Sequence, residues 1–202
     1  MGIFGRRNTT QTVTAAPAST GPDLTALTGD YAIDPAHSTI GFVARHAMVT
    51  NVKGGFGDFT GTLRLDGADP AKSTAVLDVR VESIDTGNAD RDTHLKSADF
   101  FKTDEFPMMT FRSIGAQALG GEDYRVTGEL SLLGVTKPLT IDLEFNGSAK
   151  DPFGNERVGF TGKAEILRSK WGLTWNAALE TGGVLVSDKV KLTFDISAIK
   201  QA

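Results

Sequence analysis

The sequence of 202 residues contains no cysteine. Disulfide bonds, thiolate metal ligands and a cysteine nucleophile are therefore excluded. It has no long basic stretch either, and its net charge of −4 has the wrong sign for a protein that binds nucleic acid. No apolar run is long enough to predict a transmembrane helix. What remains is a chain whose hydrophobic content, 40%, suffices for one packed domain.

The first 28 residues are rich in Thr, Ala, Pro and Ser. They are too small and polar to bury themselves, so we predict a disordered polar tail over residues 1–28 and one domain over residues 29–202. No continuous apolar region follows Arg6 and Arg7, as a secretory signal requires, and we therefore expect a cytoplasmic protein. Peripheral membrane contact through the apolar residues at the start of the tail is the alternative.

From residue 29 onward, apolar and polar residues alternate in eight segments, which is the pattern of strands with one buried face. The sixth segment, residues 139–145, is typical, and it ends at the turn sequence Asn146-Gly147. Short connections of this kind favour antiparallel neighbours. Only two stretches, about 88–105 and 168–187, are predicted to be helical or irregular.

Eight antiparallel strands with so few helices must close on themselves or form a sandwich to hide their apolar faces. We favour an all-β fold, an eight-stranded antiparallel barrel with one or two short helices at its rim. Such a barrel either fills itself or holds one small ligand. Small inward residues such as Gly61, Gly128 and Gly162 favour a cavity, and close packing around them is the alternative.

The three histidines, His37, His46 and His94, have none of the spacings typical of a zinc site. On one regular strand over residues 37–46, His46 would face inward and His37 outward. We predict no metal site and no catalytic residue, because no serine is placed with a base and no nucleophile elbow occurs. His94 lies in a predicted rim helix, where it either ties the helix to the barrel or contacts a ligand headgroup.

Six segments of the domain carry a resemblance to one known family. In chain order they are "DPAHSTIGFVARH" (34–46), "VKGGFGDFTGTL" (52–63), "SIDTGNADRDTHLKSADFF" (83–101), "FPMMTFRS" (106–113), "GELSLLGVTKPL" (128–139) and "RSKWGL" (168–173). Together they resemble the YceI-like family, the bacterial polyisoprenoid-binding proteins. The resemblance implies a lipocalin-like barrel whose pore holds a long isoprenoid or similar amphiphile. It also implies binding, storage or transport rather than catalysis, in connection with isoprenoid-quinone metabolism.

We therefore expect a lipid or other hydrophobic small molecule as the ligand, with no further cofactor and no nucleic-acid partner. A homodimer is one option for the oligomeric state. From strand parity and from the two irregular stretches, the residues predicted to line the pore and its rim are Phe42, His46, Phe59, Leu63, Leu77, Val79, His94, Leu95, Phe101, Met109, Phe111, Leu130, Ile141, Phe145, Phe160, Trp171 and Trp175. The alternatives are a protein-interaction module with a filled barrel and, less favoured, an enzyme that uses the histidines on a bound lipid.

Overall fold

The computed structural model describes residues 24–180 and 182–202. The predicted tail lies outside the described residues as far as residue 23. The strands are β1 (Gly29–Ile33), β2 (Thr39–His46), β3 (Thr50–Phe56), β4 (Phe59–Leu65), β5 (Thr74–Arg80), β6 (Ile84–Asp85), β7 (Met108–Gly120), β8 (Asp123–Leu132), β9 (Val135–Lys150), β10 (Glu156–Leu167) and β11 (Val186–Lys200). The α-helix is α1 (Ala89–Lys96), and single 3-10 turns occupy Thr25–Leu27, Pro35–His37, Pro70–Lys72, Val81–Ser83 and Arg168–Trp171. Within the described ranges, no helix is long and apolar enough to cross a membrane.

The eleven strands occupy eight positions around a closed antiparallel barrel. Strands β1 and β2 share one position, because β1 pairs with β4 while β2 pairs with β3. Strands β3 and β4 therefore share the next position, and β5 and β6, which pair with them, share the third. Strands β7 to β11 follow in chain order, and β11 closes the ring against both β1 and β2. The predicted eight-stranded barrel is confirmed.

The first barrel position contains a break that the alternating pattern did not reveal. Residues 37–46 were predicted as one strand, but His37 belongs to the 3-10 turn Pro35–His37 and the strand begins at Thr39. Pro35 cannot donate a backbone hydrogen bond, and the Asp34 side chain accepts from the Ala36 amide at 3.1 Å, so the turn replaces strand pairing here. The predicted parity between His37 and His46 was thus wrong.

The inward and outward faces otherwise follow the predicted parity. Along β8, Val126 and Leu130 are buried, whereas Thr127 and Glu129 are exposed. Strand β7 changes parity at an irregularity between Ser113 and Gly115. This shift of one residue exposes Ile114 and returns Ala116 to the interior, as a β-bulge does.

The two ends of the barrel carry different elements. The tail-side end bears the Thr25–Leu27 turn, the β4–β5 connection and the β9–β10 turn, whereas the helix-side end bears α1 and the segment 168–185. Leu24 and Leu27 pack against the core at the tail-side end. The packed domain therefore begins before residue 29, the boundary predicted from the sequence. Helix α1 is shorter than the predicted stretch 88–105, and most of 168–187 is irregular.

Candidate functional site

The barrel interior holds two cavities, one towards each end. The tail-side chamber has a volume of about 150 Å³ and reaches Leu24 and Leu27. The helix-side chamber has a volume of about 120 Å³ and reaches Leu95 and Phe100. The surface of both chambers is almost wholly apolar. Apolar cavities of roughly 150 Å³ stay dry and accept small apolar molecules.

Most of the predicted pore residues do line these chambers. Those on the tail-side chamber alone are Leu63, Phe145 and Phe160. Those on the helix-side chamber alone are Phe42, Val79, Leu95, Phe101, Met109 and Leu130. Leu77, Phe111 and Ile141 line both chambers, and so does Phe194, which was not predicted. The structure thus brings side chains from strands far apart in sequence onto one continuous apolar wall.

Five predicted residues do not line a chamber, and Phe59 and His46 are two of them. Phe59 is buried, but it belongs to the packed cluster that also contains Phe56 and Val81. His46 is exposed at the last position of β2, opposite Val186, where the pairing with β11 becomes irregular. Parity sets the face of a strand residue but not its height along the barrel, so the assignment of both residues to the pore was wrong.

His94 also lies outside both chambers. Its ring packs edge-on against Phe100, with centroids 5.1 Å apart, and against Trp175, with centroids 4.7 Å apart. Its Nε2 lies 2.9 Å from Asp99 Oδ2. His94 therefore ties α1 to the segment that carries Trp175, which corresponds to the first of the two roles considered for it, and it lines neither chamber.

The loop before α1 uses the charged residues of the same stretch for local structure. Asn88 caps the helix, accepting from the Arg91 amide at 2.9 Å. The Asp92 carboxylate accepts from the amide and hydroxyl of Thr86, and Arg91 Nε donates to the same hydroxyl at 2.7 Å. These contacts hold α1 over the helix-side chamber, with only Leu95 from the helix on its wall.

Trp171 and Trp175, predicted for the pore and its rim, pack against the core at the helix-side end and line neither chamber. Trp171 is buried, and its indole Nε1 donates to the Leu130 carbonyl at 3.0 Å. Trp175 is half-buried against the core cluster that contains Trp171. The chain leaves the 3-10 turn Arg168–Trp171 at Gly172, which has a φ of 87°, so Trp175 lies in the irregular segment that follows.

Arg168, which the sequence analysis missed, organises this segment. Its guanidinium donates to the carbonyls of Leu173 at 2.7 Å, Trp175 at 2.9 Å and Ser187 at 3.0 Å. Arg168 is only 5% exposed, and burial lowers the pKa of its guanidinium. A signal was present in the sequence, because Arg168 continues the inward parity of Ile166, and an inward charge must find buried partners.

Polar contacts also attach the segment before β1 at the tail-side end. The Tyr31 hydroxyl donates to the Leu27 carbonyl at 2.8 Å, and the Gly67 amide donates to Thr28 Oγ1 at 3.0 Å. A Cβ atom on Gly67 would lie only 1.8 Å from the Leu24 carbonyl oxygen, so the close approach of this segment requires glycine there. Sequence reasoning missed Leu24 because it was assigned to the tail.

An ion network lies on the rim of the same end. Arg157 donates to Asp34 at 2.6 Å and to Asp151 at 2.8 Å, and His37 Nδ1 lies 2.7 Å from the Asp34 carboxylate. The Arg157 guanidinium holds the pKa of both carboxyls below the ordinary aspartate value. The network joins the start of the barrel to the β9–β10 turn. Neither this network nor any other group of three or more His, Asp and Glu residues in the described ranges is arranged to hold a metal.

Residues 31–198 match the YceI-like domain, which covers most of the chain. The chain belongs to the YceI-like family. A UPF0312 protein of Staphylococcus aureus is 39% identical over 170 residues, which span 84% of this chain and 95% of that relative. The crystal structure of Burkholderia cenocepacia BcnA superposes with a TM-score of 0.72 at 25% identity, covering 82% of this chain and 98% of BcnA.

A further structure, from Saccharophagus degradans, is described as a polyisoprenoid binding domain implicated in plant cell wall breakdown. It superposes with a TM-score of 0.65 at 19% identity, covering 85% of this chain and 98% of that domain. At this identity the similarity shows the fold alone.

The inward glycines of this YceI-like barrel leave room for neighbouring side chains, and they do not themselves leave room for a ligand. A Cβ on Gly61 would lie 2.6 Å from Ile33 Cδ1, and one on Gly162 would lie 2.5 Å from Leu143 Cδ2. A Cβ on Gly128 would lie 2.5 Å from the tip of the Phe111 ring. The predicted cavity exists, but these glycines contribute to it by letting large side chains lie close to the wall.

Proposed function

We propose that this protein binds a long apolar or amphiphilic molecule, a polyisoprenoid or isoprenoid quinone or a similar lipid, inside its barrel for storage, transport or sequestration. One observation carries the proposal: the pore contains two chambers whose walls are almost wholly apolar. Burial of each methylene of a ligand favours binding by roughly 0.8 kcal/mol. A hydrocarbon chain therefore binds without a charged anchor. The Saccharophagus degradans domain supports the proposal, because it has the same fold and is described as a polyisoprenoid binding domain.

Two charged side chains near the helix-side chamber are already engaged in the protein. Arg168 lines the helix-side chamber, but its guanidinium donates to backbone carbonyls. Arg91 donates to Thr86. A polar headgroup would lose its hydration inside such walls without gaining equivalent partners, so we expect it to remain at an end of the barrel.

The same geometry weighs against the two alternatives. A filled barrel, which the interaction module requires, does not fit the presence of two cavities. An enzyme that uses histidine needs that side chain beside the bound lipid, and neither His46 nor His94 lines a chamber. The cytoplasmic location and the homodimer stay predictions from the sequence.

The direct test is organic extraction of the native protein followed by mass spectrometry, together with binding of added isoprenoid alcohols. We expect a co-purifying lipid, or saturable binding once endogenous lipid has been removed. Repeated extraction without any lipid, combined with no binding of added isoprenoids, would contradict the proposal.

A matched pair of variants locates the binding in the pore. Ala116 lines the tail-side chamber, whereas the next residue, Gln117, is exposed on the outside of the same strand. Ala116→Phe fills part of the chamber and should weaken binding, while Gln117→Phe adds the same side chain outside and should not. If the two variants bound the ligand with equal affinity, the ligand would not occupy the tail-side chamber.

A further inference from the structure

The two chambers meet at four residues that line both of them, which we call the waist. Leu77, Phe111, Ile141 and Phe194 are the residues whose side chains line both chambers. They come from β5, β7, β9 and β11, so they are distributed around the barrel. In the order of the eight positions, β7 and β11 stand opposite each other. The two phenylalanine rings therefore project from opposite walls.

Each phenylalanine of the waist lies against a glycine of the neighbouring strand. A Cβ added to Gly128 would lie 2.5 Å from Phe111 Cζ. Phe194 is paired with Gly162 across β10 and β11, and a Cβ on Gly162 would lie 3.3 Å from Phe194 Cβ and Cδ2. The glycines thus let the rings lie close to the wall. A Cβ at Gly128 would meet the Arg112 carbonyl oxygen as closely as the Phe111 ring, and a Cβ at Gly162 would meet Leu143 before Phe194, so both positions require glycine for this packing.

We propose that the waist determines which chain lengths the barrel accepts. This inference rests on the proposed function. Short apolar chains bind in the two chambers as separate sites, whereas one longer chain occupies both chambers only after the side chains of the waist move aside. The free energy needed to open the pore then reduces the binding free energy of long chains, and it does not affect the binding of short chains. Phe111 and Phe194, the largest members, are the residues that set this selectivity.

The experiment compares geraniol, a short isoprenoid alcohol, with geranylgeraniol, a longer one, on delipidated protein. Native mass spectrometry counts the molecules bound per barrel, and displacement of a fluorescent apolar probe gives the affinities. For the unmodified protein we expect two molecules of geraniol and one of geranylgeraniol.

Three variants test the waist directly. Phe194→Leu opens it and should raise the affinity for geranylgeraniol relative to geraniol by about tenfold. Phe145→Leu, the same change in the tail-side chamber alone, should alter both affinities alike. Gly162→Ala, a second control, displaces Leu143 of the tail-side chamber more than Phe194 and should weaken the binding of both alcohols.

The outcomes separate the two proposals. A single geraniol per barrel, or equal ratios of the two affinities in Phe194→Leu and Phe145→Leu, would overturn the waist while leaving lipid binding intact. Failure of either alcohol to bind the delipidated protein would overturn the proposed function, and the waist with it. Circular dichroism on each variant establishes whether the barrel is folded. If Phe194→Leu does not fold, Phe111→Leu is a second variant that widens the waist.

Discussion

The helix-side and tail-side ends of this barrel are stabilised by different kinds of contact. At the helix-side end, Arg168 and Trp171 are buried and donate to backbone carbonyls of the chain that surrounds them. At the tail-side end, the contacts of the Thr25–Leu27 segment are part-buried or exposed: Tyr31 donates to the Leu27 carbonyl, the Gly67 amide to Thr28 Oγ1 and Lys200 Nζ to the Ala26 carbonyl. The two chambers are alike in chemistry, yet the structures that cover them differ in how firmly they are attached.

Because of this difference, we expect local unfolding of the two ends to require different free energies. Segments with few buried contacts and exposed backbone open locally at less than the free energy of global unfolding. We therefore expect amide exchange to be faster in residues 24–28 than in residues 168–175. The following predictions are ordered by the size of the expected effect.

The largest effect is expected for a charge placed in the helix-side wall. Leu130→Glu buries an unpaired carboxylate beside the carbonyl that accepts from Trp171, and should destabilise the fold by more than about 4 kcal/mol. Glu129→Lys, on the exposed outer face of the same strand, should change the free energy of unfolding by less than about 1 kcal/mol. Urea unfolding measures both. A larger loss in Glu129→Lys would mean that the inward and outward faces are inverted.

Removal of the Arg168 side-chain charge should have the next largest effect. Arg168→Met keeps an apolar stem but leaves several carbonyls without their donor, and should cost about 3 kcal/mol. Lys170→Met, an exposed change in the same 3-10 turn, is the control. Urea unfolding of the two variants should differ clearly. Similar values would show that the helix-side end does not depend on this residue.

A smaller effect is expected at the tail-side end. Leu27 is partly buried, so Leu27→Ala should cost about 1–2 kcal/mol, less than the loss at a fully buried leucine. Hydrogen exchange should accelerate in residues 24–33 and remain unchanged around Trp171. Acceleration that is equal at both ends would contradict the contrast between them, because it would show that the ends open together.

The smallest effect concerns the rim network of Arg157 and depends on pH. Because the folded-state pKa of Asp34 and Asp151 is lowered, their contribution to stability is present above the ordinary aspartate pKa and is lost as the pH falls through the folded-state values. Arg157→Gln should therefore destabilise the protein at neutral pH, and the gap from the unmodified protein should narrow in acid.

Urea unfolding between neutral pH and about pH 3 tests this, since ordinary aspartates titrate near 3.9. Arg125→Gln removes an ion pair with Asp142 whose side chains are both 46% exposed, and should have little effect at any pH. A gap for Arg157→Gln that widens in acid would contradict the assigned direction of the pKa shifts.

Strand parity placed many residues correctly on the interior wall because it depends only on local geometry. Leu77, Phe111 and Ile141 were placed on the wall from their alternation with polar neighbours, and the structure puts them there. The errors at His46 and Phe59 have a different origin. For both residues, parity predicts an inward side chain. His46 lies beyond the chamber at the end of β2, whereas Phe59 packs beside the break between β3 and β4.

By itself, the sequence determined the all-β class, the inward faces and the family, since period-two alternation and local motifs need no knowledge of the rest of the chain. Only the tertiary structure decided the height of each residue along the barrel, because that height follows from the register between strands. Phe111 and Phe194 are 83 positions apart in the sequence, and ring closure through β11 places their strands on opposite walls. The division of one apolar pore into two chambers is therefore a property of the closed barrel.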